Sequence, residues 1–236
     1  AQLRERSGAE QEAIALYGEL LRTYPQRNTA LSSSIRASNI KLGMREPNAA
    51  IAYMEQAQAL VDKLQSQDTT IIKPEVQSFS DHAIEDLSFM RAQALVLAKQ
   101  SSQAYDAFLA FMNAYPQSPI MPHAKMSAGY AAFHLGKYNE AEALYRYVID
   151  STNEEHAFLK AGAKLYHGLI AKAKGERDRA KKEFAALTMQ TGYQLLGHAL
   201  LEYGQLVYED NEMETARKTF ERALRETQEK SLSVKL

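Results

Sequence analysis

Cysteine is absent from this 236-residue chain, and so is tryptophan. Without cysteine there is no disulfide, no thiolate nucleophile and no Cys-ligated zinc, and the chain is indifferent to the redox state of its compartment. An excess of charge of one sign is missing too. The 28 Lys and Arg against 29 Asp and Glu leave a formal net charge of -1, unlike the basic excess of a dedicated nucleic-acid binder. No apolar run approaches the roughly 18 residues that span a bilayer, so no direct membrane insertion is expected. Strand-like alternation is scarce, and only Thr69-Thr70-Ile71-Ile72 has a short β-branched character. There is no HExxH, no GxxxxGK(S/T) and no GxGxxG opening a helix after a strand. The nearest metal-like cluster, Asp81, His82, Glu85 and Asp86, reads as the acid-rich start of a helix, where carboxylates favour the positive end of the dipole. No catalytic residue, metal site or cofactor is expected, and the chain is not read as an enzyme.

What remains is helix, repeated. The pattern Ala-x3-(Phe/Tyr) occurs at Ala13/Tyr17, Ala49/Tyr53, Ala104/Phe108, Ala141/Tyr145, Ala180/Phe184 and Ala216/Phe220. Twelve residues before each alanine stands another small residue: Ala1, Ala37, Ala92, Gly129, Gly168 and Gly204. Five residues before it stand Gly8, Gly136, Gly175 and Asn211, which suit a turn, with Met44 and Lys99 as exceptions. A residue and its i+4 neighbour share one helical face. The alanine therefore admits a close helix contact, with the small residue facing it across the turn, and the aromatic plugs the groove beside it. Each unit is a helical hairpin that cannot bury its apolar face alone and must stack on neighbours.

These residues resemble the tetratricopeptide repeat family, whose unit is a helix-turn-helix. The resemblance implies an all-α, right-handed superhelical solenoid over nearly the whole chain. The family's early Trp is absent, and its proline after the second helix survives as Pro25 and Pro116. We divide the chain into a partial N-terminal repeat (1–30), repeats at 31–61, 81–118, 119–155, 156–193 and 194–230, and an insertion at 62–80. Because the first unit begins at its own mid-helix residue, Ala1, further sequence is expected upstream. The insertion is polar and holds Pro74, and reads as a long loop or as an extension of the helices beside it. The segment Tyr115-Pro116-Gln117-Ser118-Pro119 leading into a repeat is similar to bacterial cell-envelope repeat proteins, such as the Tol-Pal coordinator and the lipoprotein of the outer-membrane barrel assembly machine. That likeness points to the periplasm, while composition leaves the compartment open.

The resemblance also implies a function. In such arrays the first helices line a concave surface where extended peptides bind. Counting -3, +1 and +4 from each small residue places Phe89, Gln93, Met126, Tyr130, Phe133, Leu165, Leu169, Leu201, Gln205 and Tyr208 on that face, with Ser34 and Ser38 forming a polar set. The Lys and Asn that clamp a terminal carboxylate in chaperone-binding members are not there. The expected function is a non-enzymatic adaptor that binds a protein or peptide partner through an apolar groove. Core between repeats is the alternative for part of the stripe. A homo-oligomerisation module and a helical accessory domain of a larger enzyme are the alternatives for the whole. The basic run from Lys172 to Lys182 reads as a solvated face rather than a phosphate track, because Glu176 and Asp178 dilute it.

Overall fold

A computed structural model of the chain describes residues 8–24, 28–66, 74–151, 156–189 and 195–233; the side chains of 28–29, 60, 63–66, 74–83 and 227–233 lie outside that description. Ala1 and the Thr69 to Ile72 run also fall outside it. Among the described residues there are eleven α-helices and no strand: α1 (Glu10–Thr23), α2 (Asn28–Gly43), α3 (Pro47–Ser66), α4 (Pro74–Leu97), α5 (Ser101–Ala114), α6 (Met121–His134), α7 (Tyr138–Ser151), α8 (Ala157–Ala173), α9 (Arg177–Thr188), α10 (Leu196–Glu209) and α11 (Met213–Ser233). The chain forms two compact units, one up to Ser118 and the other from Pro119. Within each unit every helix packs on the next in sequence, and first helices also meet first helices, α2 with α4 and α6 with α8. Helices α3 and α4 extend into the 62–80 segment from both sides, reaching Ser66 and starting at Pro74.

The hairpin turns share one geometry. The residue five before the contact alanine takes a left-handed backbone, with φ of 76° at Gly8, 59° at Lys99, 72° at Gly136, 76° at Gly175 and 62° at Asn211. The residue after it closes back on the preceding helix, as Lys137 N–H donates to the carbonyl of Ala132 and Glu176 N–H to that of Ala171 at 2.9 and 2.8 Å. This is a helix end of the Schellman type. Lys99 adopts it without a glycine, although its side chain gave no sign of a turn.

The second hairpin corrects the register read from the sequence. Its left-handed residue is Arg45 (φ 60°), one place later than expected. Accordingly Ala50 and Met54 are fully buried, while Ala49 and Tyr53 are only half-buried. The contact pair there is Ala50/Met54, with Met filling the place that an aromatic fills elsewhere.

The small residues of the first helices do something more specific than face the alanines. A Cβ on Gly129, Gly168 or Gly204 would lie 2.8, 2.6 or 2.7 Å from ring carbons of Tyr145, Phe184 and Phe220 respectively. The rings lie on the glycines, and only a residue without a side chain admits that approach. Tyr145 and Phe184 are fully buried as a result, and Ala141 and Ala180 are fully buried beside them.

Candidate peptide-binding face

The predicted stripe separates into three groups. Leu165 is core: it is 3% exposed and packs with Phe184, Leu187, Ala199 and Leu206. Its place on a groove is corrected, because the stacking of α10 on α8 and α9 covers it. Leu169 rests half-buried against the same cluster. Ser34 and Ser38 of α2 are also fully buried, and Ser38 Oγ donates to the Ile35 carbonyl at 2.7 Å.

Gln93, Leu201, Gln205 and Tyr208 are exposed. Gln205 is engaged in a polar bridge between α8 and α10: Lys172 Nζ lies 2.6 Å from a Glu202 carboxylate oxygen and 3.2 Å from Gln205 Oε1. Leu201 and Tyr208 stand 49% and 55% exposed.

The remaining four are half-buried, each fixed by a neighbour. Phe89 of α4 meets Phe108 and Phe111 of α5 at centroid distances of 5.9 and 5.6 Å. In the second unit, Met126 reaches toward α8, where its Cε would come within 2.9 Å of a side chain on Gly162. Tyr130 stands edge-on to His134 at 4.3 Å and to Tyr166 at 5.7 Å. Phe133 stands edge-on to Tyr166 at 5.5 Å. Met126, Tyr130 and Phe133 of α6, with Tyr166 and Leu169 of α8, thus form one apolar face on two first helices.

Tyr166 was missed because it lies two residues before Gly168, off the chosen stripe. The available signal was an aromatic at the edge that α6 faces. Behind it lies a second surprise. Tyr145 of α7 stacks its ring on Tyr166 at 5.3 Å and 16°. Its hydroxyl is buried and has no hydrogen-bond partner among the described residues. Burial, followed by the neighbouring phenols of Tyr166 and Tyr130, raises the Tyr145 hydroxyl well above the usual phenol range. Burial, then Tyr130, pushes Tyr166 up to about 12. Phenylalanine occupies the place of Tyr145 in the following two hairpins, so the hydroxyl is not required for the packing. The half-buried Tyr130 and Tyr166 can offer phenol donors to a polar group arriving between α6 and α8.

Five of the six cations in the basic run are paired within the fold. Lys172 pairs with Glu202, Lys174 with Glu142, Arg177 with Glu209 and Asp210, Arg179 with Glu142 and Glu176, and Lys181 with Asp210 and Glu212. Glu142 is the centre of one network, held by Lys174 at 2.7 Å and by Arg179, with His167 at 3.4 Å. Burial opposes its charge, but the hydrogen bonds from Lys174 and Arg179 outweigh that and bring its carboxyl down to about 2.

Comparison with known proteins gives the following. The tetratricopeptide repeat family profile matches residues 89–155 and 166–230. No curated protein sequence matches the chain. Solved structures do. BtubC (BKLC) from P. vanneervenii is similar at a TM-score of 0.67 and 12% identity, covering 98% of this chain and 93% of that one. MamA (41-end) from Desulfovibrio magneticus RS-1 gives 0.61 at 12% identity, covering 84% and 96%. YrrB, described as a TPR protein with an unusual peptide-binding site, gives 0.56 at 15% identity, covering 92% and 95%. At these identities the likeness concerns the fold.

Proposed function

The chain belongs to the tetratricopeptide repeat family, whose fold is that of a protein–protein interaction scaffold, and we propose that it binds an extended peptide on the α6/α8 face of its second unit. Proteins of this family are generally scaffolds without catalytic activity. One observation carries the finer reading: a buried, unpartnered Tyr145 hydroxyl behind a half-buried aromatic face. An unsatisfied buried hydroxyl costs stability, and a bound peptide carbonyl that displaces the Tyr166 ring stacked over Tyr145 would offset that cost. Met126, Tyr130, Phe133 and Leu169 supply the apolar contact around it. Aromatic side chains of this kind often dominate interfaces. The peptide site of YrrB is consistent with this use of the fold. The Tyr115 to Pro119 segment, similar to that of envelope repeat proteins, supports a bacterial periplasmic setting.

The test is to select peptides from a displayed library on the full chain and to titrate them against wild type and Tyr130→Ala. The variant should bind at least about tenfold more weakly, with the melting temperature within a few degrees of wild type. Unfolding as severe as that of a core variant would return Tyr130 to the core. A second reading, self-association, is favoured by α11, where Met213, Phe220 and Leu224 are 52%, 36% and 59% exposed. Mass measurement in solution over a concentration series decides it: a constant monomer mass removes that reading.

A further inference from the structure

A separate cleft lies within the first unit, between the second helices α3 and α5, with the first helix α4 as its floor; its volume is about 680 Å3. Its counterpart in the second unit, between α7 and α9 over α8, is filled by the chain's own charges. There Glu142 follows the contact alanine Ala141, and Glu183 stands three residues past Ala180. Their carboxylates face His167, just before Gly168, and Glu142 also binds Arg179, just before Ala180.

The same positions of the first unit hold Ile51 after Ala50, Ala107 three residues past Ala104, Arg91 just before Ala92 and Gln103 just before Ala104. Both carboxylates are gone. The imidazole position now holds a guanidinium, which is always charged and matches a carboxylate in two-pronged geometry. Arg91 lines the cleft, is exposed and makes no ion pair or hydrogen bond among the described residues. The missing side-chain bulk at Ala107 leaves room above it.

We propose that this cleft binds a polypeptide segment through an acidic side chain, whose carboxylate takes on Arg91 the place that Glu142 and Glu183 take in the second unit. The walls define the rest of the partner. Glu55 on α3 and Asp106 on α5 are exposed and likewise unpaired among the described residues, so basic side chains flank the acidic one. These two carboxylates repel a free polyanion such as phosphate, which favours a peptide of mixed charge. Gln103 offers a free amide to its main chain. At the mouth, Gln100 Nε2, at the residue that precedes α5, donates to Asn48 Oδ1 of α3 at 3.2 Å and bridges the two walls.

The experiment pans short displayed peptides on the full chain and titrates the selected peptides by fluorescence anisotropy. Arg91→Gln should cost at least about tenfold in affinity and leave the melting temperature unchanged, because Arg91 holds nothing within the fold. Ala107→Glu should cost as much by supplying the carboxylate internally, as Glu183 does. Amidating the acidic side chain of the peptide should weaken binding as much as Arg91→Gln, and the two changes together should cost no more than either. The proposal is overturned if no selected peptide is sensitive to both variants, or if amidation leaves affinity unchanged. It is overturned equally if every selected peptide depends on Tyr130 and ignores Arg91, a result that leaves the α6/α8 face standing.

Discussion

Replacing Tyr145 by phenylalanine should make the fold more stable and the binding weaker. The ring lies on Gly129 and stacks on Tyr166, and neither contact uses the hydroxyl. A buried hydroxyl without a partner costs about 1–3 kcal/mol. Removing it vacates roughly 10 Å3, which at about 24 cal/mol per Å3 returns only about 0.2 kcal/mol of that gain. The net expectation is a stabilisation of about 1–3 kcal/mol. Urea unfolding followed by circular dichroism measures it as a raised midpoint at unchanged slope. If a peptide carbonyl accepts from this hydroxyl, affinity should fall about fivefold, equivalent to about 1 kcal/mol. Destabilisation by more than about 1 kcal/mol would refute the reasoning, since the hydroxyl would then be bonded in solution. Stabilisation with unchanged affinity would leave the fold argument intact and remove the hydroxyl from the site.

The other expectations concern the packing and the charges around it. Ala141→Leu should overpack the fully buried hairpin contact and cost about 1–3 kcal/mol by the same urea assay. Gly168→Ala should destabilise by a similar amount, because its Cβ would meet the Phe184 ring at 2.6 Å, whereas Gly18→Ala meets nothing and should not. Glu142 has a lowered pKa, so its share of stability is intact above the ordinary carboxyl value of 4.5 and is lost as pH falls toward about 2; Glu142→Gln should flatten the acid limb of a melting-temperature profile over that window. Tyr166 has a raised pKa, so its contribution is intact below about 10 and is lost as pH climbs through about 12; Tyr166→Phe should reduce the alkaline loss of stability, the Tyr145 share remaining.

The hairpins were legible because their spacing is fixed by hard geometry. One left-handed residue, five positions, then a buried alanine is a backbone rule, and Gly8, Gly136, Gly175 and Asn211 announce it by residue type. Arg45 and Lys99 obey the same rule without announcing it. At Lys99 the spacing of Ala104 sufficed. At Arg45 two adjacent alanines offered two registers, and the presence of Tyr53 favoured the wrong one. What decides between them is which of Tyr53 and Met54 completes the buried layer, a matter of packing with neighbours that no local pattern contains.

The candidate site was legible only as a helix face, because exposure depends on the repeat that stacks next. Leu165 and Leu169 stand one turn apart on α8. The first disappears under α10 with Leu206 and Ala199, while the second stays half-open. Tyr166 joins the face because α6 presents Tyr130 and Phe133 to it, a relation between hairpins rather than within one. The charges follow the same logic. Glu142 follows Ala141 and binds Lys174; Lys181 follows Ala180 and binds Asp210, the same junction with its signs reversed. These two junctions therefore carry opposite charge patterns, each of which favours its proper neighbour over another hairpin of the same array. Ile14, Ile51 and Tyr105 follow the buried alanines Ala13, Ala50 and Ala104, so no such charge stands at those positions. The absence of an ionic side chain from a junction is invisible in any single repeat. It becomes informative once the repeats are aligned on their buried alanines, and there it leaves Arg91 without the carboxylate that its counterpart holds.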